Sequence, residues 1–269
     1  MKDQVDGHIL SACEKGIATI TISNPARRNA FSVAMLQAMR RAVDTSLADP
    51  DCRVLVLRGA GGCFSAGGDI NDFRATLYLE APARLDAYRA LIENWVNPVI
   101  LALRRAHQPV LSLVQGACAG YGLSLALASD CVIAADDAVF STAYTGLALP
   151  CDGGQSVFLM QALGERRARE LMWSARRVAA PEALALGLVE QVVPAAGLDG
   201  AAQARIAHFA QGPRHALAEI KRLLVAAGPS LEAQLAAEAL AFARCAATMD
   251  FVEGVTAFAD RRAPVFRGR

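Results

Sequence analysis

The 269-residue sequence lacks the features that mark several protein classes. It contains no long run of one charge sign, and its 27 basic and 26 acidic residues give a formal net charge of +1. No broad surface for nucleic acid or for a membrane is therefore expected. The seven cysteines include no CxxC pair and the four histidines form no metal motif, which argues against a disulfide framework and against a metal site. The start, MKDQVDGHIL, is charged where a secretory signal is apolar. We expect a soluble cytoplasmic protein.

Nucleotide-binding fingerprints are also missing. The glycine-rich segments match neither GxGxxG nor GxxxxGK[ST]. A Rossmann-type oxidoreductase would need the first of these patterns and a phosphate-binding loop the second. Neither class is supported.

Apolar runs and amphipathic segments alternate through the first half of the chain. β-rich runs at 16–23, 54–57, 110–114 and 131–134 alternate with helical patterns at 32–47, 83–106 and 123–128. This order predicts an α/β fold with crossover connections. After Asp152 the pattern predicts one strand, 189–193, and helices at 155–163, 167–174, 181–186, 198–211, 214–227, 231–247 and 250–260. We predict a core over 1–197 and a helical module over 198–269 for packing and oligomerisation.

Two glycine-rich segments follow apolar runs and precede helices. They are GAGGCFSAGGD at 59–69 and QGACAGYGLSLALASD at 115–130. A strand that passes through glycines into a helix leaves amide N–H groups pointing outward, with the helix dipole behind them. Two such donors on one carbonyl oxygen would form an oxyanion hole.

Five segments together resemble the signatures of the crotonase (enoyl-CoA hydratase/isomerase) superfamily. They are NPARRNAF (24–31), CFSAGGDI (63–70), VQGACAGYGLSLALASD (114–130), FSTAYTGLALPCDGG (140–154) and AFADRRAPVF (257–266). The resemblance implies a spiral of ββα turns with a C-terminal helical region, assembled as trimers or dimers of trimers. It also implies an acyl-CoA substrate, with coenzyme A as part of that substrate and no further cofactor. The oxyanion donors would be the amides of Ala66 and Tyr121.

The residues that assign a subclass depart from the hydratase pattern. Hydratases of the family have two glutamates where this chain has Ser124 and Tyr144, so we assign these two residues to the substrate pocket. A hydroxyl is a poor general base unless it is activated. The segment AYTGLALPCDGG resembles isomerase-like members instead, in which the aspartate at the position of Asp152 faces the substrate. Its alternative role is to cap the helix that follows.

The resemblance implies that coenzyme A contacts the turn 26–29, the loop 66–70 and two residues near the C-terminal end. They supply the expected binding residues Ala26, Arg27, Arg28, Ala66, Gly67, Asp69, Ile70, Phe258 and Arg261. Asp69 is in addition expected to cap the helix that begins beside it.

Three functions remain open at this point. The leading hypothesis is enoyl-CoA double-bond isomerisation, with Asp152 moving the proton. A hydratase or another thioester reaction that recruits a different base is the alternative within the family. A CoA-binding scaffold without chemistry is the alternative from another class, because both hydratase carboxylates are missing.

Overall fold

The strands of this chain form two sheets. The structure is a computed structural model that describes residues 7–226 and 230–269. The strands are β1 (His8–Glu14), β2 (Ile17–Ser23), β3 (Val54–Gly59), β4 (Val110–Val114), β5 (Ala117–Ala119), β6 (Cys131–Ala135), β7 (Val139–Ser141), β8 (Val178–Ala179) and β9 (Gln191–Val193). The larger sheet has the order β1-β2-β3-β4-β6-β9 and the smaller one the order β5-β7-β8. In the larger sheet every pair is parallel except β1–β2.

The helices alternate with these strands and then continue without them. They are α1 (Val33–Ala48), α2 (Ile70–Ala75), α3 (Ala81–Leu91), α4 (Asn97–Arg105), α5 (Tyr121–Ala128), α6 (Gln155–Leu163), α7 (Glu165–Ser174), α8 (Ala180–Ala185), α9 (Leu198–Gln211), α10 (Arg214–Val225), α11 (Leu231–Ala246) and α12 (Met249–Ala259). The predicted α/β fold is confirmed. The predicted end of one helix at residue 227 lies outside the described residues.

The helix predicted over 83–106 is interrupted. Residues Ile92–Val96 form a π-helical turn between α3 and α4, in which the Asn97 N–H donates to the Ile92 carbonyl oxygen. Pro98 has no N–H, so it cannot donate to the carbonyl four residues before it. The wider turn therefore occurs where the regular hydrogen-bond ladder fails.

The sequence analysis missed β1. It forms a hairpin with β2 through Lys15 and Gly16, which both have positive φ, +50° and +78°. Two residues in this conformation connect antiparallel strands with the correct twist. The Lys-Gly pair between two β-rich runs was the available signal.

Two layers of helices cover the larger sheet. Leu55 and Leu57 of β3 face the main core, to which α1, α4 and α5 contribute. The alternate residues Val54 and Val56 face the opposite side, where they pack with Leu198 of α9. Burial on both faces explains why β3 reads as an uninterrupted apolar run.

The parallel pairing of β3 and β4 positions the two glycine-rich segments. Leu55 pairs with Val110 and Arg58 with Leu113, so the two strands end at the same edge of the sheet. The chain leaves β3 into residues 59–69 and leaves β4 into residues 115–120. An isolated parallel bridge between Ser65 and Cys118 then joins these segments directly.

The C-terminal helices attach to the sheet at its other end. Lys221 of α10 forms an ion pair with Asp130 at 2.7 Å, and Asp130 also accepts a hydrogen bond from the Val110 N–H at 2.8 Å. Asp130 is thus structural, as its position between a helix and a strand predicts. The domain boundary at 197/198 stays a prediction. None of the described helices is long and apolar enough to cross a membrane.

Candidate active site

The two glycine-rich segments are joined by hydrogen bonds and approach each other closely. The Ser65 N–H donates to the Ala117 carbonyl oxygen and the Ala119 N–H to the Ser65 carbonyl oxygen, both at 2.9 Å. Gly67 has a φ of +96°, and a β-carbon there would lie 3.0 Å from the Ala119 carbonyl oxygen and 3.4 Å from the Tyr121 nitrogen. Only glycine leaves this approach unobstructed.

The two predicted oxyanion donors differ in their present partners. The Tyr121 N–H is the first of α5 and donates no hydrogen bond within the described part of the chain. The Ala66 N–H donates to the Arg28 carbonyl oxygen at 2.9 Å. Both residues line the same cavity. The Tyr121 amide is therefore available to a ligand, whereas the Ala66 amide would have to share its proton or exchange its acceptor.

The segment NPARRN holds the first glycine-rich segment in place. Asn29 is fully buried, and its Nδ2 donates to the carbonyl oxygens of Ala60 and Cys63 at 2.9 and 2.5 Å. Its Oδ1 accepts the Asn24 N–H at 2.7 Å. The sequence analysis included Asn29 only as the end of the turn 26–29 expected to contact coenzyme A, and did not predict this structural role.

Asp69 has the predicted capping role and an ion pair. Its carboxylate accepts the Asn71 N–H at 2.9 Å at the start of α2 and contacts Arg27 at 2.5 Å. Burial alone would raise the pKa of Asp69, but the hydrogen bonds from Asn71 and Arg27 outweigh it and hold the pKa below its ordinary value. Asp69 is thus a fixed anion that ties two predicted CoA-binding stretches together.

Asp152 is paired with Tyr144. The Tyr144 hydroxyl donates to Asp152 Oδ1 at 2.6 Å. Burial raises the pKa of Asp152, an effect that the Tyr144 hydrogen bond partly offsets. The pKa of Tyr144 is raised by burial and further by the negative charge of Asp152. The phenol therefore stays protonated and acts as the donor.

The capping interpretation of Asp152 is wrong. α6 begins after Gly154 and has no side-chain cap, and Gln155 donates its N–H to the main-chain carbonyl of Asp152 instead. The carboxylate is consequently free of a structural task in the helix. It lines the cavity, as does Tyr144.

Ser124 lies behind the cavity wall. Its side chain is fully buried, and its hydroxyl donates to the Asp152 carbonyl oxygen at 3.0 Å. Gln155 Nε2 contacts the same hydroxyl at 3.4 Å. Ser124 is not among the residues that line the cavity. Its assignment to the substrate pocket is therefore corrected: the hydroxyl holds the main chain that carries Asp152.

The cavity itself has a volume of about 610 Å³. Its acidic residues are Asp69, Asp72 and Asp152. Asp72 accepts the Val33 N–H at 2.7 Å, and Asp69 has the partners described above. Asp152 differs because its side-chain partner is a single hydroxyl. It is the carboxylate best suited to accept a proton from a ligand.

The structure brings together only part of the predicted CoA-binding set. The stretch 26–28 and the stretch 66–70 meet through the Ala66–Arg28 hydrogen bond and the Arg27–Asp69 ion pair. Phe258 lies on α12, is 87% exposed and lines a different groove. Arg261, just beyond α12, does not line the main cavity either. Within the described part of one chain these two residues do not reach the cavity.

Three aromatic cavity residues outside the recognised motifs were missed by the sequence analysis: Phe73, Tyr88 and Trp95. Tyr88 and Trp95 are seven positions apart, two turns of a regular helix, and this spacing was the available signal.

Comparisons with a family model, with related sequences and with solved structures all indicate the same family. A family model described as enoyl-CoA hydratase/isomerase matches residues 12–269. A Rhodobacter capsulatus protein named "Probable enoyl-CoA hydratase" is 37% identical, covering 95% of this chain and 96% of the relative. The 1,2-epoxyphenylacetyl-CoA isomerase of Escherichia coli is 34% identical, with 97% and 98% covered. An enoyl-CoA hydratase from Polaromonas sp. JS666 superposes with a TM-score of 0.90 at 35% identity, with 97% and 100% covered.

Proposed function

Because this chain belongs to the enoyl-CoA hydratase/isomerase family, we propose that it shifts the double bond of an enoyl-CoA thioester, with Asp152 as the proton shuttle. The observation that carries this proposal is the state of Asp152. Its carboxylate lines the cavity, caps no helix, has a raised pKa and is held by the Tyr144 hydroxyl. A carboxylate with a raised pKa is a stronger base than an ordinary aspartate.

In the proposed reaction, Asp152 removes a proton from one carbon of the enoyl chain. The electron pair moves through the conjugated system to the thioester oxygen, which becomes an enolate. The Tyr121 N–H, at the positive end of α5, donates to that oxygen, and the Ala66 N–H joins it by sharing its proton with the Arg28 carbonyl. Asp152 then returns the proton to the carbon two positions along. No water is consumed, and coenzyme A takes part only as a portion of the substrate.

Hydration is the alternative within the family, and the names of the relatives include both reactions. Two observations favour isomerisation. Ser124 is buried behind the wall, and Tyr144 already donates to Asp152. Neither hydroxyl replaces the pair of carboxylates that would hold and deprotonate an attacking water.

The deciding experiment is incubation of the protein with 2-enoyl-CoA and 3-enoyl-CoA thioesters in D₂O, followed by mass spectrometry. Isomerisation predicts migration of the double bond with deuterium on a chain carbon and no added water. Gain of one water would instead establish a hydratase. Binding without either change would leave a scaffold.

We further propose that the chain assembles as a homotrimer or a dimer of trimers. Large apolar side chains on α11 and α12 are exposed in the single chain, among them Leu235, Phe242, Val252, Val255 and Phe258. A monomer rarely exposes such a surface. Light scattering at micromolar concentration tests this, and a monomeric mass would contradict it.

A further inference from the structure

Aromatic side chains are concentrated around the candidate active site. The sequence has only ten phenylalanines, four tyrosines and two tryptophans. Three of the tyrosines, two of the phenylalanines and one tryptophan line the cavity: Phe31, Phe73, Tyr88, Trp95, Tyr121 and Tyr144. A straight aliphatic chain needs apolar surface but no aromatic rings. So dense a set of rings in an aromatic-poor chain points to a ligand that interacts with rings.

The rings come from separate elements and are ordered against one another. Phe31 and Tyr121 meet edge to face, with centroids 5.1 Å apart and an angle of 71°. Phe73 and Tyr88 stack at 5.6 Å and 24°. Phe31 and Tyr121 are almost fully buried, whereas Phe73 and Tyr88 are partly exposed and present ring surface to the cavity. Another ring binds to such a surface with more energy than its buried area provides.

The polar ends of these tyrosines are already engaged or covered. The Tyr88 hydroxyl lies 2.7 Å from the Thr76 hydroxyl, and the Tyr144 hydroxyl donates to Asp152. The Tyr121 hydroxyl is buried. The three side chains therefore offer the cavity their rings and not free hydroxyl groups.

The charge of the cavity restricts the ligand further. Among the described residues that line it, three are aspartates and none is lysine, arginine or histidine. An acyl group with its own carboxylate would place a second negative charge near Asp152 without a cation to pair with it, which is costly away from water.

We propose that the natural acyl group is neutral and carries an unsaturated six-membered ring, as in an arylacetyl or cyclic alkenyl thioester. This inference rests on the proposed function for the position of the thioester. It adds the class of acyl group, which the proposed proton transfer leaves open.

The test compares three acyl groups of eight carbons: phenylacetyl-CoA, cyclohexylacetyl-CoA and octanoyl-CoA, with dissociation constants measured by calorimetry on the whole chain. We expect phenylacetyl-CoA to bind about tenfold more tightly than octanoyl-CoA, with cyclohexylacetyl-CoA clearly weaker than phenylacetyl-CoA, since it has the ring but no π system. Equal or tighter binding of octanoyl-CoA would overturn the proposal.

A pair of variants tests the origin of this preference. Tyr88→Leu should reduce the preference for phenylacetyl-CoA severalfold while leaving the affinity for octanoyl-CoA nearly unchanged. Tyr78→Leu is the matched control, because Tyr78 is 82% exposed and does not line the cavity. An unchanged preference in a folded Tyr88→Leu variant would contradict the role of the aromatic wall.

The proposal that the acyl group carries no charge is tested separately. Adipoyl-CoA, which carries a terminal carboxylate, should bind at least tenfold more weakly than hexanoyl-CoA, and equal affinity would refute this part. These binding results are independent of the proton transfer. Deuterium exchange with octanoyl-CoA alone would support the proposed function and contradict the ring preference. Ring-selective binding without any exchange would support the ring preference and contradict the proposed function.

Discussion

The Tyr144 hydroxyl and the Asp152 carboxylate form a hydrogen bond of 2.6 Å across eight positions of the chain. The intervening segment leaves the core and returns, and residues 145–150 are exposed. The pair is therefore held from two sides, by the main chain around Thr142 and by the bond from Ser124 to the Asp152 carbonyl. A carboxylate held in this way has one fixed orientation in the cavity.

Replacing Asp152 with asparagine should abolish most proton transfer without unfolding the protein. The change removes the base, so deuterium exchange into a 3-enoyl thioester should fall by ~10²–10⁴. Mass spectrometry of the recovered thioester measures the rate. Asp51→Asn, at an exposed carboxylate, is the matched control and should exchange at the wild-type rate. Wild-type exchange in Asp152→Asn would remove this residue from the mechanism.

Two tyrosine-to-phenylalanine variants should change different properties, one the activity and the other the stability. Tyr144→Phe deletes the donor to Asp152 and should lower the turnover number about tenfold with little change in KM, since a hydrogen bond to a charged group is lost. Tyr121→Phe removes a buried hydroxyl that has no partner within the described residues. It should keep activity and raise the free energy of unfolding by up to about 1 kcal/mol. Kinetics and denaturant titration measure the two effects, and equal loss of activity would contradict this distinction.

The pH dependence of the reaction should reflect the raised pKa of Asp152. The base form is required, so kcat/KM should fall as the pH drops through a pKa above the ordinary aspartate value. The Tyr144 hydrogen bond lowers this pKa, so Tyr144→Phe should move the acid limb to higher pH. A pH profile of both proteins measures this, and an unmoved or lowered limb would contradict it.

The same pKa has a consequence for stability. The folded-state pKa of Asp152 is raised, so the protonated carboxyl contributes to the stability of the folded protein. This contribution is complete below about pH 4, the ordinary pKa range of aspartate. It is lost as the pH rises through the folded-state value. Asp152→Asn should therefore be more stable than the wild type at pH 7, and this advantage should shrink at low pH. Thermal unfolding at several pH values provides the measurement, and an advantage that grows on acidification would refute the assignment.

Ser124→Ala should affect folding more than chemistry. The variant removes the hydroxyl donor to the Asp152 carbonyl, which keeps only the Gln155 N–H, and should cost about 0.5–1.5 kcal/mol of unfolding free energy. Affinity for acyl-CoA should stay within about twofold, because the side chain does not line the cavity. A large loss of affinity in a stable variant would restore Ser124 to the substrate pocket.

The sequence was informative where local pattern and three-dimensional position coincide. Buried parallel strands such as β3 and β4 can be recognised in the sequence because both of their faces are apolar. The order of the motifs was sufficient to identify the family. The Tyr144–Asp152 bond was not predictable, because it depends on the path of residues 145–150. The position of Ser124 behind the wall was hidden for a similar reason: a buried serine and a pocket serine have the same sequence context.

The oxyanion-hole candidates of this site are main-chain groups in the two segments that follow the neighbouring parallel strands β3 and β4, whereas the proposed base is a side chain on a separate segment. Point mutations can therefore replace Asp152, Tyr144 or the residues facing them while the amides of Ala66 and Tyr121 keep their positions. In evolutionary terms, a change of reaction on this scaffold need not pass through a protein that no longer binds the thioester. If the proposed mechanism holds, each intermediate would keep the amides that stabilise negative charge, and selection would act on which carbon atom loses or gains a proton.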